Sequence, residues 1–439
     1  MRVFLILLSI LLFAGRVFAY DLILPREKKM NVSTNYAFFV GKAKNTECIT
    51  INDEKIHVAS NGAFAHSVKL KEGENRIIVK SNFNTQVYKF IKKSPSTSVK
   101  PALIEFEPKT YIVKKDNTPL RSTPVDYGMN RVSHLFKDTV LILDGEQGDF
   151  YRVKLSKNKT AWIMKSAVTE SDCADYKPEF VALNSETFKN ASLHTIEFTG
   201  KLPYTTEEND KEIIFRVYNP FVSDNSVYTV NIKKPEKYSY NIELCGGKYN
   251  FKLTHLPEQL TVVVDAGHGG SEKGAIGCLG DKEKDINLKI ALELKEILSQ
   301  AGVNVIMTRE CDANVSLEDR VKIARENGAN IFVSVHLNSI PDIKMDIHKN
   351  RGTSVYYYNP NSRELAKSVQ DSVTASIGTR KDGVRTASFA VIRPTDYMGI
   401  LVETAYMTNP LDSVLYKSES FARNTAQGIA DGIFAYINK

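Results

Sequence analysis

After Leu260 the spacing of apolar residues changes, and no other feature of the chain limits the fold as much. Thr261-Val262-Val263-Val264-Asp265 is almost wholly apolar, the texture of a strand buried on both faces. Residues 283–298 then carry Ile286, Ile290, Leu294, Ile297 and Leu298, a spacing of i, i+4, i+8, i+11 and i+12 that lines one side of a helix. The alternation repeats to the end. A strand is expected over 303–307, a helix over 317–326, strands over 331–335 and 353–358 and a helix over 362–376; strands over 389–392 and 400–402 and a helix over 420–437 follow. Strands separated by helices predict a mostly parallel sheet with helices on both faces, an α/β unit over 259–439. Roughly 180 residues are enough for one good core.

Ahead of Leu260 the texture is all-β. Residues 20–96 hold short alternating runs, such as Tyr36–Val40 and Ala63–Val68, punctuated by Asn52-Asp53 and Asn61-Gly62. Strands of that length and pitch predict a β-sandwich, and the stretch is similar to immunoglobulin-like modules. A polar Pro/Ser-containing linker over 92–101 follows. Residues 102–170 carry Leu120-Arg121-Ser122-Thr123-Pro124, then Gly148-Asp149-Phe150-Tyr151-Arg152-Val153, then Thr160-Ala161-Trp162-Ile163. This order resembles the bacterial SH3-like domain, with Phe150 where that family usually has Trp and Ala161 where it usually has Gly. The resemblance implies at most a share in binding cell-wall peptides. For Trp162 core packing is the plainer reading and stacking on a ligand the sharper one. Residues 177–257 predict a further β-rich module of uncertain type.

The first 19 residues, MRVFLILLSILLFAGRVFA, have a cationic start, an apolar run of about 12 residues and small residues at the end, the pattern of a cleaved signal peptide. The run is short of the roughly 20 residues that span a bilayer, and no later stretch reaches that length. An exported protein of the periplasm or cell wall is expected, with no stable membrane span after cleavage. The formal charge is +7, and +5 once the two leader arginines are removed, with no dense Lys/Arg block. Nucleic acid is therefore not the default partner, and the charge suits an anionic surface. The five cysteines, at 48, 173, 245, 278 and 311, contain no CxxC pair, which excludes a Cys-rich zinc site and a dense disulfide scaffold.

In open α/β sheets ligands bind beyond the carboxyl ends of the strands, and polar residues collect there. The first strand runs into Asp265-Ala266-Gly267-His268-Gly269-Gly270, and the third into Ser334-Val335-His336-Leu337-Asn338. Glu283 opens the first helix, and Glu403 ends the last strand. Two imidazoles and a carboxylate are a zinc donor set. Spacings of 15 and 53 positions leave the bland readings open as well: rim histidines held by hydrogen bonds, a helix N-terminal charge at Glu283 and a salt-bridged Glu403.

VVVDAGHGGSEKGAIG, KEKDINL, MTRECDANVSLEDRVKIAREN, FVSVHLNS and ILVETAYMTNP occur in that order over about 260–439. In this the chain resembles the type 3 family of zinc-dependent N-acetylmuramoyl-L-alanine amidases. The resemblance implies Zn²⁺ on His268, Glu283 and His336, with Glu403 as catalytic acid/base. It implies peptidoglycan as substrate, cleaved between N-acetylmuramic acid and L-alanine. Two other classes stay open: a wall-binding protein with an inactive amidase unit, and a zinc hydrolase of another amide. Asp265 either orients an imidazole N–H or holds the strand end. Asn287, Arg320, Asn338, Arg385 and Arg393 fall in or near the motifs. Arg320 reads equally as a helix-face ion pair, and Arg385 or Arg393 as a fork for the carboxylates of a peptide stem. Tyr356–Tyr358 reads as packing. Cys278 lies in the loop between the first two implied ligands, and a thiolate is also a zinc donor. Some members of the family carry a helix-bearing insert after the second histidine; only about 13 residues occupy that position here, so no built-in plug is expected, and any control would fall to the front modules or to a protein activator.

Overall fold

The computed structural model describes residues 20–439 except 44–47, 83, 95–100, 174, 223–225 and 340–349. The expected leader, and most of the segment on which no plug is expected, lie outside the described residues. Among those described, no helix is long and apolar enough to cross a membrane.

The α/β unit contains β1 (Thr261–Ala266), α1 (Glu283–Gln300), β2 (Asn304–Met307), α2 (Leu317–Glu326), β3 (Ile331–Asn338), β4 (Thr353–Tyr357), α3 (Arg363–Ile377), β5 (Lys381–Thr386), β6 (Met398–Tyr406), α4 (Pro410–Tyr416) and α5 (Phe421–Ile437). Its six strands lie in the order β2-β1-β3-β6-β4-β5. All neighbours are parallel except β6 and β4. Val262, Val264, Val333, Val335, Ile400 and Val402 face α1, α3 and α5. Val263, Phe332 and Leu401 face the opposite way, toward Ala324 of α2. That two-sided burial explains why the strands read as apolar runs. Gly428 and Gly432 let α5 close on α3, since a Cβ at Gly432 would stand 2.5 Å from the Val369 Cα.

One expected strand is absent. Residues Ala390–Ile392 form a single 3₁₀ turn instead. Val391 and Ile392 are both buried, so a turn seals the α2 face of the sheet where an apolar run reads as a strand.

Residues 20–92 form two sheets, of three and five strands, around Phe39, Ile51, Phe64 and Val79. Residues 104–170 form a seven-stranded antiparallel sheet, and residues 180–255 form sheets of four and three strands. The latter two units share one core, in which Leu120, Val153 and Ile163 join Phe215, Tyr249 and Phe251. Trp162 does not enter it. Ala161 and Ile163 on either side point inward, and Trp162 is left partly exposed on the other face.

The front units touch the α/β unit at several points. Asn61 Nδ2 donates to Ser413 Oγ (3.1 Å), Asn361 Nδ2 to the Tyr238 carbonyl (2.9 Å) and the Tyr240 N–H to the Thr395 carbonyl (2.8 Å).

Candidate metal centre

The loop after β1 must turn sharply at once, and His268 adopts a left-handed conformation, φ 58°. Two glycines make the space that follows. A Cβ at Gly267 would fall 2.2 Å from the His336 ring, and one at Gly274 would fall 2.5 Å from Glu283 Oε2. These positions have room only for hydrogen.

Glu283 is the first residue of α1 and only 4% exposed, with its carboxylate encircled by donors. Its Oε1 meets His336 Nδ1 (2.8 Å) and the Leu337 N–H (3.2 Å). Its Oε2 meets His268 Nε2 (3.2 Å) and the Ala275 N–H (2.8 Å). Burial works to raise its pKa, but the hydrogen bonds from the two histidines outweigh it and hold the carboxyl well below its usual range. For His336, burial disfavours the charged ring and the Glu283 carboxylate more than restores it, so its pKa is raised. The rings of His268 and His336 meet edge to face, 4.9 Å between centroids. One donor atom from each of His268, Glu283 and His336 lies within 4.8 Å of the others.

Glu403 lies in register with His336 on the neighbouring strand. Burial pushes its carboxyl up to about 7, with Glu283 adding to the rise and His336 opposing it. Its Oε2 is buried and has no hydrogen-bond partner among the described residues. A buried, unpartnered carboxyl oxygen is costly. Here it stands beside a group of metal donors.

The model of the N-acetylmuramoyl-L-alanine amidase family matches residues 262–435. The protein YqiI of Bacillus subtilis is 36% identical over 186 residues, 42% of this chain and 87% of that one. The chain belongs to this amidase family. The N-acetylmuramoyl-L-alanine amidase LytC of Bacillus subtilis is 36% identical over 180 residues, and AmiC of Neisseria meningitidis is 33% identical over 223 residues. The matched part covers 35% of LytC and 52% of AmiC, so this chain spans a third to a half of those relatives. Among solved structures, the catalytic domain of CwlV, an amidase from Bacillus (Paenibacillus) polymyxa, is 36% identical; the likeness covers 41% of this chain and 99% of that one, at a TM-score of 0.39.

The amidase unit spreads the other candidates widely. Asp265 does not reach an imidazole by any described hydrogen bond. It accepts from Thr308 Oγ1 (2.7 Å), Ser334 Oγ (2.6 Å) and Arg320 Nη1, and so ties β1 to β3, to the residue after β2 and to α2. Arg320 is no surface ion pair: it is 2% exposed, and it also donates to the carbonyls of Ala266 and His268 (both 2.9 Å). Arg309, which no motif argument singled out, donates to the carbonyls of Ala266 (2.8 Å), Gly267 (3.0 Å) and Lys284 (2.9 Å). A buried Asp265 needed a cation, and that need was the signal available. Asn287, one turn into α1, is fully buried and donates to the Gly267 carbonyl (3.2 Å). The Asn338 carbonyl accepts from the Met407 N–H (2.7 Å).

Arg385 pairs with Asp382 (3.0 Å) near Tyr356, one level below Glu403 on the far edge of the sheet. Arg393 precedes β6 and lies at the opposite end of the sheet from His336, so the structure does not bring it to the metal donors. Cys278 is outside the donor group; it is buried against Val40, Ala59 and Ala63 of the first β unit, and that burial pushes its thiol up to about 12.

Proposed function

We propose that the chain is an exported, zinc-dependent N-acetylmuramoyl-L-alanine amidase that cleaves peptidoglycan between N-acetylmuramic acid and L-alanine. The reading rests chiefly on one observation: two imidazoles and a carboxylate converge beside an unpartnered, raised-pKa carboxyl. Membership of the family, and relatives named as amidases, support it. We assign residues 1–19 to a signal peptide and 259–439 to the catalytic domain, with 20–96, 102–170 and 177–257 as all-β modules that hold the enzyme at the wall.

The residues suit the ion. Three protein donors of the N/N/O type are a catalytic rather than a closed structural set. His268, Glu283 and His336 would hold it. When bound, zinc supplies Lewis acidity that activates water and polarises the amide carbonyl. Gly267 and Gly274 keep bulk away from the donors. Arg309 and Arg320 clamp the carbonyls of 266–268, which fixes the loop that presents His268. Glu403 Oε2 takes a proton from water and returns it to the departing amine of L-alanine. A carboxyl poised near neutrality is suited to both transfers.

Glu403→Gln should lower turnover of purified peptidoglycan by about 10²–10⁴-fold while the zinc content stays at one per chain. The products of the wild-type digest test the reading itself. Free lactyl groups with peptides beginning at L-Ala support it. Cleavage inside the stem, or wall binding without any cleavage, overturns it.

A further inference from the structure

A second charged cluster lies where the seven-stranded unit meets the amidase unit. Arg121, 2% exposed, donates through Nη1 to the Tyr127 carbonyl (2.8 Å) and pairs through Nη2 with Asp126 Oδ1 (2.5 Å). The turn it braces abuts the amidase unit: a Cβ on Gly128 would lie 2.5 Å from the Ser388 Cβ. The Ser388 carbonyl in turn accepts from Arg393 (3.1 Å). Arg131 follows the same turn, and its Nη1 lies 3.2 Å from His134 Nε2.

Three guanidinium groups therefore share one junction with a single carboxylate, that of Asp126. Neither Arg131 nor Arg393 has an acidic partner within ion-pair distance among the described residues. The Nε of Arg121 and the Nε of Arg131 are buried and have no acceptor among the described residues. Burial, and next the neighbouring guanidinium groups, hold Arg131 below its usual pKa. A folded chain gains nothing by gathering unpaired cations, and such donor capacity suits an anionic ligand. Exposed Tyr127 and Phe389 flank the junction and offer apolar contact to whatever carries the charge.

The position in the sheet says which anion. Burial raises the hydroxyl of Tyr358, and Arg131, Arg393 and Arg121 all pull it back down, so it lies in the field of all three. Ser354 on β4 is in register with Glu403 and shares a face with Tyr356, and Tyr358, just past the end of the strand, packs with Tyr356 against the cluster that holds Leu401. Four residues of strand cover about 13 Å. An extended peptide that starts at the scissile bond needs about four residues to cover the same distance.

Resting on the amidase reading, we propose that Arg121, Arg131 and Arg393 form a carboxylate site that receives the far end of the stem peptide, so that the second β unit completes the substrate cleft. Arg131 and Arg393 would supply the free donors, and Arg121 the fixed charge behind them.

The free stem pentapeptide is the product of the reaction, so its binding can be measured on the wild-type mature chain without turnover. The probes are the pentapeptide with a free C-terminal carboxylate and the same peptide as its C-terminal amide. The acid should bind about tenfold more tightly. Arg131→Gln and Arg393→Gln should each erase that preference while leaving the affinity for the amide unchanged. Equal affinity for the two peptides, or no binding of either, overturns the proposal. So does a preference for poly(glycerol phosphate) over the peptide acid that the same substitutions abolish, since the site would then serve a phosphate polymer of the wall. Each result is independent of the products of peptidoglycan digestion, which test the amidase reading separately.

Discussion

Two groups of buried arginines are built from the same side chain and used in opposite ways. Arg309 and Arg320, behind His268, are saturated: five of their N–H bonds go to four backbone carbonyls of the site, and Arg320 also neutralises Asp265. Arg121, Arg131 and Arg393 share one carboxylate, and two of their nitrogens are orphaned. A guanidinium with every donor engaged is a fastener. One with donors to spare is either a defect or a receptor. The contrast separates what holds the amidase unit together from what remains for a ligand.

The largest effect should come from breaking the saturated group. Arg320→Met leaves Asp265 buried with two hydroxyl partners, Thr308 and Ser334, among the described residues, and frees the His268 carbonyl of the metal loop, while the Ala266 carbonyl keeps its bond from Arg309. Removing one partner of a buried ion pair costs about 3–5 kcal/mol. The helical circular-dichroism signal follows the loss, because every α-helix described lies in the amidase unit. Asp265→Asn with Arg320→Met should recover part of it, since the stranded charge is then gone. A cost below about 1 kcal/mol for Arg320→Met would show that the network is not a fastener.

The saturated group was also the less legible in the sequence. Strand and helix periods placed β1, α1, α2, α3 and α5 to within a residue or two, because each buries a regular stripe. His268, Glu283 and His336 stood out because loop glycines and strand ends expose them. Arg309 did not, and Arg320 did so only as a motif residue that reads equally as a helix-face ion pair. Their partners are main-chain carbonyls, which every sequence contains, so nothing at residues 266–268 marks them. Arg320 beside Glu318 and Asp319 imitates a surface pair, and only the closure of the sheet swings it onto Asp265. Val391-Ile392 misled for a related reason, since an apolar pair that seals a sheet face reads the same in a turn as in a strand. The Arg121–Arg131–Arg393 junction was legible only at Arg393, because Arg121 and Arg131 belong to the seven-stranded unit and Arg393 to the amidase unit.

A pH measurement sharpens the contrast from the second group. Burial, then Arg131, Arg393, Arg121 and Arg325, push His134 down to about 4. The contact with Arg131 agrees, since a neutral Nε2 can accept from the guanidinium and a protonated one cannot. Its folded pKa lies below the unfolded value of about 6.5, so the unfolded chain takes up a proton first as the pH drops. Stability from this group is intact above about pH 6.5 and lost progressively toward pH 4. Between pH 7.5 and 5 the loss is about 2 kcal/mol. The fluorescence of Trp162, the one tryptophan, reports the unit concerned. His134→Gln, which keeps an acceptor, should flatten the wild-type slope by that amount. Identical slopes would mean that no buried, cation-rich niche surrounds His134.

The smallest expected effect on stability is the most telling about the receptor reading. Arg393→Met removes a half-buried cation whose described hydrogen bonds go only to Ser388 and which lies in the field of Tyr358, Arg121 and Arg131. Methionine retains most of the stem's packing and carries no charge to desolvate. The urea midpoint, read by Trp162, should stay the same or rise, by at most about 1 kcal/mol. The same substitution in the saturated group costs several times that, with the opposite sign. A fall of more than about 1 kcal/mol would make Arg393 a fastener like Arg320 and leave the junction without spare donors. A neutral or favourable change, with loss of the preference for the peptide acid, would mean that the charge is kept at this junction for the ligand rather than for the fold.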